Sequence, residues 1–82
     1  MFYYVYILKS SKDPSKLYVG QTNDPDRRLR EHNTRPSCSY TDAYRPWSVV
    51  TIIRLEDRRR AGELERYLKS HSGRVFLRKR LI

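Results

Sequence analysis

The chain has 82 residues, with 18 Lys+Arg against 9 Asp+Glu, a formal net charge of +9. That length excludes two domains of ordinary size and limits the core that can be buried, so residues 1–82 are expected to form one domain. The lone Cys38 excludes an intrachain disulfide and fits a reducing compartment, and with only His32 and His71 beside it the composition argues against a structural zinc site.

Hydrophobic residues make up 38% of the chain, and seven of its aromatics are tyrosine. This suits a small globular core rather than a disordered chain. The longest apolar run, Met1 to Leu8, is far short of the ~20 residues that cross a bilayer. It has neither a basic segment before it nor a small-residue cleavage site after it. The expectation is a soluble, cytoplasmic protein with no membrane partner. Excess positive charge points first to nucleic-acid phosphates, with a basic surface kept for solubility as the alternative. Residues 70–82 hold Arg74, Arg78, Lys79 and Arg80 and no acid, which directs a polyanion to that end.

In chain order, residues 2–8 are β-branched and aromatic and read as a strand. Turn residues 10–15 lead into a second short strand at 16–20, so the two form an antiparallel hairpin. A helix begins at Asn23 or Asp24, either able to cap it, with Pro25 near its first position, and ends near His32 and Asn33. Residues 34–46 read as a long polar loop. Residues 47–55 read as a third strand, and Asp57 caps a second helix over 58–70. After Gly73 a basic helical segment runs from Arg74 to Ile82, with Val75, Phe76 and Leu77 turned inward. The order β-β-α-β-α-α predicts an α+β domain, a three-stranded, mostly antiparallel sheet flanked by helices.

Side chains alternate across a strand, so Tyr4, Tyr6 and Leu8 share one face of the first strand, and in the second strand Tyr18 and Gly20 share a face. If Lys9 pairs with Ser15, Tyr6 lies opposite Tyr18 and Tyr4 opposite Gly20. Aromatic cross-strand pairs also occur simply as sheet stabilisers, and spacing alone favours that reading. In the first helix Arg28 and His32 are four apart and share a face, and Leu29 can anchor the helix. A solvated basic face is the default for the cluster Arg27, Arg28 and Arg30. In the second helix Ala61, Leu64 and Leu68 form a buried stripe. Glu65 lies at its edge, where it needs a cation, a donor or a metal, or else pairs outward with Lys69.

Taken in order, these residues resemble the GIY-YIG nuclease domains over nearly the whole chain. The first signature triplet stands as Tyr4-Val5-Tyr6 and the second as Tyr18-Val19-Gly20. Arg28 and His32 match the helix that carries an arginine and, four later, a histidine or tyrosine. Ala61 to Lys69 matches the stretch with the metal-binding glutamate. The chain is most similar to small stand-alone bacterial members and to the amino-terminal nuclease module of the excision-repair incision subunit. Tyr4 departs from the glycine of the first triplet, and Asp42 stands where similar sequences often carry a basic residue.

The resemblance implies a DNA endonuclease with one divalent metal, Mg²⁺ or Mn²⁺, on Glu65. Arg28 would contact the scissile phosphate, Tyr6 would take a proton from the attacking water, Tyr18 would orient water or phosphate, and His32 would assist Tyr6 or relay the proton. DNA contacts fall to Arg27, Arg35, Tyr40, Arg45, Lys69, Arg74, Arg78, Lys79 and Arg80. Strong sequence specificity in so small a domain would need a protein partner or a homodimer. The alternatives are a non-catalytic nucleic-acid-binding module on the same fold and a structural domain whose tyrosines are core.

Overall fold

The computed structural model describes residues 2–34 and 39–82, with Ser39 and Tyr40 as backbone only. Strand β1 (Tyr3–Ser10) lies at the centre of a three-stranded antiparallel sheet, flanked by β2 (Leu17–Thr22) and β3 (Trp47–Leu55) in the order β2-β1-β3. The first strand of the chain is the middle of the sheet because the hairpin closes on one side of it and the returning strand pairs on the other. Its interior is accordingly apolar on both faces, and Val5, Ile7 and Leu8 are fully buried.

The hairpin register differs from the expected one. Lys9 pairs with Leu17, Tyr6 with Gly20 and Leu8 with Tyr18. The turn is set by Ser10, whose Oγ accepts from the backbone N–H of Lys12 and Asp13 at 3.1 and 2.9 Å. Ser10 N–H then donates to the Lys16 carbonyl at 3.1 Å, which closes the loop one residue later on each strand. The slip is two residues in total. Because the side-chain period is also two, Tyr6 and Tyr18 remain on one face, offset diagonally rather than directly opposed.

Helix α1 (Pro25–Thr34) starts with Asp24 as its cap, the Oδ1 accepting from Arg27 N–H at 3.1 Å. The expected long loop contains a short helix, α2 (Ser39–Ala43), for which the polar sequence carries no periodic signal. Arg35 and Cys38 lie outside the described residues. Beyond β3, Asp57 caps α3 (Arg58–Lys69) as expected, accepting from Arg60 N–H at 2.9 Å. Helix α4 (His71–Arg80) begins before Gly73, not after it. Ser70 ends one helix and starts the next: its hydroxyl donates to the Tyr67 carbonyl at 2.6 Å and accepts from Gly73 N–H at 3.2 Å. Gly73 lets α4 cross closely over the end of α3, since a Cβ there would overlap the Tyr67 carbonyl and approach Leu68 Cα to 2.7 Å. Leu77 is buried, but Val75 and Phe76 are exposed, contrary to expectation, because α4 packs chiefly against α3 and turns only one narrow side inward.

Two cores result. On one sheet face Val5, Ile7 and Val19 pack with Ala61, Leu68 and Leu77 of α3 and α4, with Leu64 partly buried against them. On the other, Tyr6, Leu8 and Trp47 pack with Tyr18, Leu29 and Tyr44. A bulge in β3 serves the second core. Thr51 pairs with Ile7 and Val49 with Leu8, so Val50 is the extra residue. The one-residue offset sets Trp47 opposite Ser10, on the face of Tyr6 and Leu8 rather than the reverse.

Replacing Ser70 by Ala removes one hydroxyl that serves both α3 and α4. The expected cost is about 1 kcal/mol, as for other helix caps. Thermal melting should drop by roughly 4–8 °C in a domain of this size.

Candidate active site

The reactive face is built around Tyr6. Its Oη shares a 2.9 Å hydrogen bond with His32 Nε2, joining β1 to α1 through two side chains that are 3% and 1% exposed. The Tyr18 ring lies against both partners, 4.6 Å from His32 and 6.2 Å from Tyr6 between centroids, inclined 26° to the latter. Trp47 closes one side, its ring edge-on to Tyr18 at 6.3 Å.

Gly20 makes the arrangement possible. It faces Tyr6 across the hairpin, and a Cβ there would come within 2.6 Å of Tyr6 Cζ and closer still to Oη. The phenol therefore occupies the volume that any other residue at position 20 would fill. No positive backbone angle is involved; the need is purely for space.

Arg28 lies one turn before His32 on α1. Its Nη1 donates to Glu31 Oε1 at 2.9 Å, and the guanidinium also acts on the Tyr6 phenol as donor and as positive charge. Burial would lower the Arg28 pKa, but Glu31 and Tyr6 together hold it above its ordinary value, so it remains a cation. Glu31 also lies 3.9 Å from Arg27. This glutamate was not among the residues singled out by sequence, although its positions three and four after the two arginines were a signal available there.

Burial pushes Tyr6 up to about 12; Arg28 opposes the shift, and Tyr18 and Glu65 add to it. His32 is pushed down to about 4, first by burial and then by the positive charge of Arg28, with Glu31 opposing. At neutral pH both partners of the buried hydrogen bond are therefore uncharged. His32 Nδ1 is buried and has no hydrogen-bond partner among the described residues.

Glu65 approaches from α3, whose packing against β2 brings its charge to bear on the Tyr6 phenol. Its side chain is one-fifth exposed, and its Oε2 accepts from Lys69 Nζ at 2.7 Å. Among the described residues no three His, Cys, Asp or Glu side chains gather into a protein-only metal cage. A single carboxylate is compatible with Mg²⁺ or Mn²⁺, which keep several waters and take further oxygens from a phosphate. The carboxylate is occupied here by the Lys69 ammonium, the outward pairing that the sequence also allowed. One turn earlier, Gln21 lies against Gly62, and its amide oxygen is buried without a partner among the described residues.

The remaining basic residues expected to meet DNA lie in four settings. Lys69, Arg74 and Arg78, joined by Lys16, line a groove of about 400 Å³ between the hairpin turn and α4, and Tyr18 forms part of its wall. Lys79 and Arg80 are exposed on α4 outside that lining. Arg27 is exposed and donates to Asn23 Oδ1 at 3.1 Å. Arg45 is engaged internally: Nε donates to the His32 carbonyl at 2.7 Å, and Nη2 is 2.9 Å from Asp42. It ties α2 to α1, and Asp42 is its counter-ion. The side chains of Arg35 and Tyr40 lie outside the described residues.

Comparison with known proteins identifies the family. The family model of the GIY-YIG catalytic domain matches residues 2–80. A Structure-specific endonuclease subunit slx1 from Talaromyces marneffei is 50% identical over 56 residues, which is 63% of this chain and 14% of that protein. The corresponding subunit of Candida dubliniensis is 46% identical over 57 residues, 63% of this chain and 20% of that protein. The match thus spans a small part of these relatives. Among solved structures, the NMR structure of a UPF0213 protein from Bacillus halodurans has a TM-score of 0.56 at 28% identity, covering 96% of this chain and 84% of that one.

The depressed His32 pKa has a consequence for stability. In the unfolded chain an imidazole titrates near ~6.5, so unfolding is accompanied by proton uptake below that value. The stabilisation is complete above pH ~6.5 and is lost progressively as pH falls toward the folded value of about 4. Chemical denaturation at stepped pH should show a loss of roughly 1.4 kcal/mol per unit over that window. The slope attributable to residue 32 should vanish in His32→Gln.

Proposed function

The chain belongs to the GIY-YIG family of catalytic domains, and on that premise we propose that it is a divalent-metal-dependent DNA endonuclease that hydrolyses phosphodiester bonds. One observation carries the reading. The Tyr6 phenol of β1 is hydrogen-bonded to His32, lies against Tyr18 of β2, and feels the charges of both Arg28 on α1 and Glu65 on α3.

The phenol of Tyr6 is protonated at neutral pH, so it does not act as a standing phenolate. Instead it accepts a proton from the attacking water at Oη as its own proton passes along the 2.9 Å hydrogen bond to His32 Nε2. This step uses neutral His32 with Nε2 as the acceptor. As the water oxygen bonds to phosphorus and the bond to the 3′ oxygen breaks, negative charge builds on the phosphoryl oxygens. Arg28, fixed by Glu31, faces that charge. Tyr18, stacked beside Tyr6, positions the water or the phosphate. Glu65 would hold Mg²⁺ or Mn²⁺, which when bound supplies Lewis-acid polarisation of the phosphate and compensates charge on the leaving oxygen.

Lys69, Arg74 and Arg78, with Lys16, supply contacts to the DNA backbone along the groove beside Tyr18, and Lys79 and Arg80 extend the basic surface. Arg27 adds a contact on the α1 side. Arg45 is better placed to support His32 than to reach DNA. The names of the relatives favour DNA of particular structure as the substrate and a protein partner for the domain. No helix among the described residues is long and apolar enough to cross a membrane.

Plasmid nicking by the purified protein tests the proposal. Cleavage should require Mg²⁺ or Mn²⁺ and should be lost in Glu65→Gln, while melting stays near the parent value because the replacement is nearly isosteric. Tyr6→Phe should lower the rate by roughly 10²–10⁴, the range for losing a general base. A folded, DNA-binding Glu65→Gln that cuts at the parent rate would remove Glu65 from the mechanism. Joint neutralisation of Arg74, Arg78, Lys79 and Arg80 should weaken binding and flatten the salt dependence by roughly 0.9 for each phosphate no longer neutralised.

A further inference from the structure

Lys69 belongs to two sites at once. Its Nζ is 2.7 Å from Glu65 Oε2, and its side chain lines the basic groove with Lys16, Arg74 and Arg78. The same ammonium lies 5.9 Å over the Tyr18 ring, between the reactive cluster and the groove. The lysine is half-exposed on a long flexible stem, whereas Glu65 is one-fifth exposed and set on a packed helix. The groove's lining contains four cations and no carboxylate. A phosphate entering it would meet uncompensated positive charge, and Lys69 is the member whose charge is already committed elsewhere.

We propose that Lys69 is a shared cation that couples the two sites: a DNA phosphate in the groove draws its ammonium away from Glu65, and the carboxylate so released becomes available to a divalent metal. This rests on the assignment of Glu65 as metal ligand. Without DNA the lysine competes with metal for the carboxylate, so DNA and metal bind with positive cooperativity. Linkage requires the effect to be reciprocal. An exposed ion pair between residues four apart is weak, so the coupling is a severalfold effect rather than an absolute gate. Its physical role is to favour metal loading where a phosphate is already in place.

Two binding measurements, neither depending on turnover, test it. The first titrates Mn²⁺ into DNA-free protein and follows free Mn²⁺ by electron paramagnetic resonance. Lys69→Met should bind roughly twofold to fivefold more tightly than the parent, the factor expected on removing a competing exposed pair. Arg66→Met, which removes a charge from the same helix, should change affinity less. The second measures binding of a fluorescent DNA duplex by anisotropy in EDTA across a salt series. Glu65→Gln should bind more tightly than the parent and show a salt slope steeper by roughly 0.9, because Lys69 is freed for one more phosphate. Glu63→Gln, which removes a carboxylate paired with Arg59 elsewhere on α3, is the charge control.

Equal Mn²⁺ affinity in Lys69→Met and Arg66→Met would overturn the proposal. So would a DNA salt slope for Glu65→Gln indistinguishable from that of Glu63→Gln. A parent protein that binds both Mn²⁺ and DNA without these differences loses only the coupling. A parent that binds neither overturns the nuclease assignment with it.

Discussion

The buried hydrogen bond between Tyr6 and His32 is the constraint around which the rest of the site is organised. Breaking it would leave a phenol and an imidazole without their partner inside a nearly dry interior, at a cost of roughly 1–3 kcal/mol for each unsatisfied group. Burial raises the Tyr6 pKa and lowers that of His32, so the bond is made between neutral groups. Since Tyr6 belongs to the central strand and His32 to α1, the bond fixes the helix against the sheet. That fixes Arg28 one turn earlier. Asn33, one residue later, pairs both its amide groups with the Trp47 backbone at 3.1 and 2.7 Å, so β3 is held by the same helix.

The two glutamates beside the candidate site follow one pattern. Glu31 holds Arg28, and Glu65 holds Lys69, in each case through residues three or four apart on a helix. In a chain of net charge +9 these acids do little to neutralise the surface as a whole. They instead restrain particular cations at the edge of the reactive cluster. The difference lies in the partner. Arg28 is an arginine with several donors and can keep Glu31 while also facing Tyr6. Lys69 has a single compact charge, and serving a second anion weakens its hold on the first.

Much of the fold and site is legible in the sequence, for reasons that can be traced residue by residue. The shared face of Tyr6 and Tyr18 survives the register slip because the slip is even and the strand period is two. The caps Asp24 and Asp57 and the stripe Ala61, Leu64 and Leu68 are local signals, and local signals suffice for helices. The features that escape a sequence reading depend on tertiary contacts. Ser10 sets the turn partly because its hydroxyl also donates to the Tyr44 carbonyl at 2.6 Å, thirty-four residues away. The short α2 is supported by Thr41, whose carbonyl accepts from Trp47 Nε1 at 2.9 Å. Gly73 reads as a break because glycine usually is one; here close helix crossing requires it. The inward role of Arg45 is hidden because charge alone does not tell a phosphate ligand from a brace.

The order of elements also bears on how the site comes into being. Tyr6, Tyr18, Arg28 and His32 all lie in the first half of the chain, yet their strand is not completed on its second side until β3, and Glu65 arrives only with α3. During synthesis, Tyr6, Tyr18, Arg28 and His32 leave the ribosome well before Glu65. A nascent or truncated chain ending before α3 carries both tyrosine triplets and lacks Glu65. The candidate site is thus assembled last at Glu65, so its full set of side chains exists only when nearly all of the domain is there.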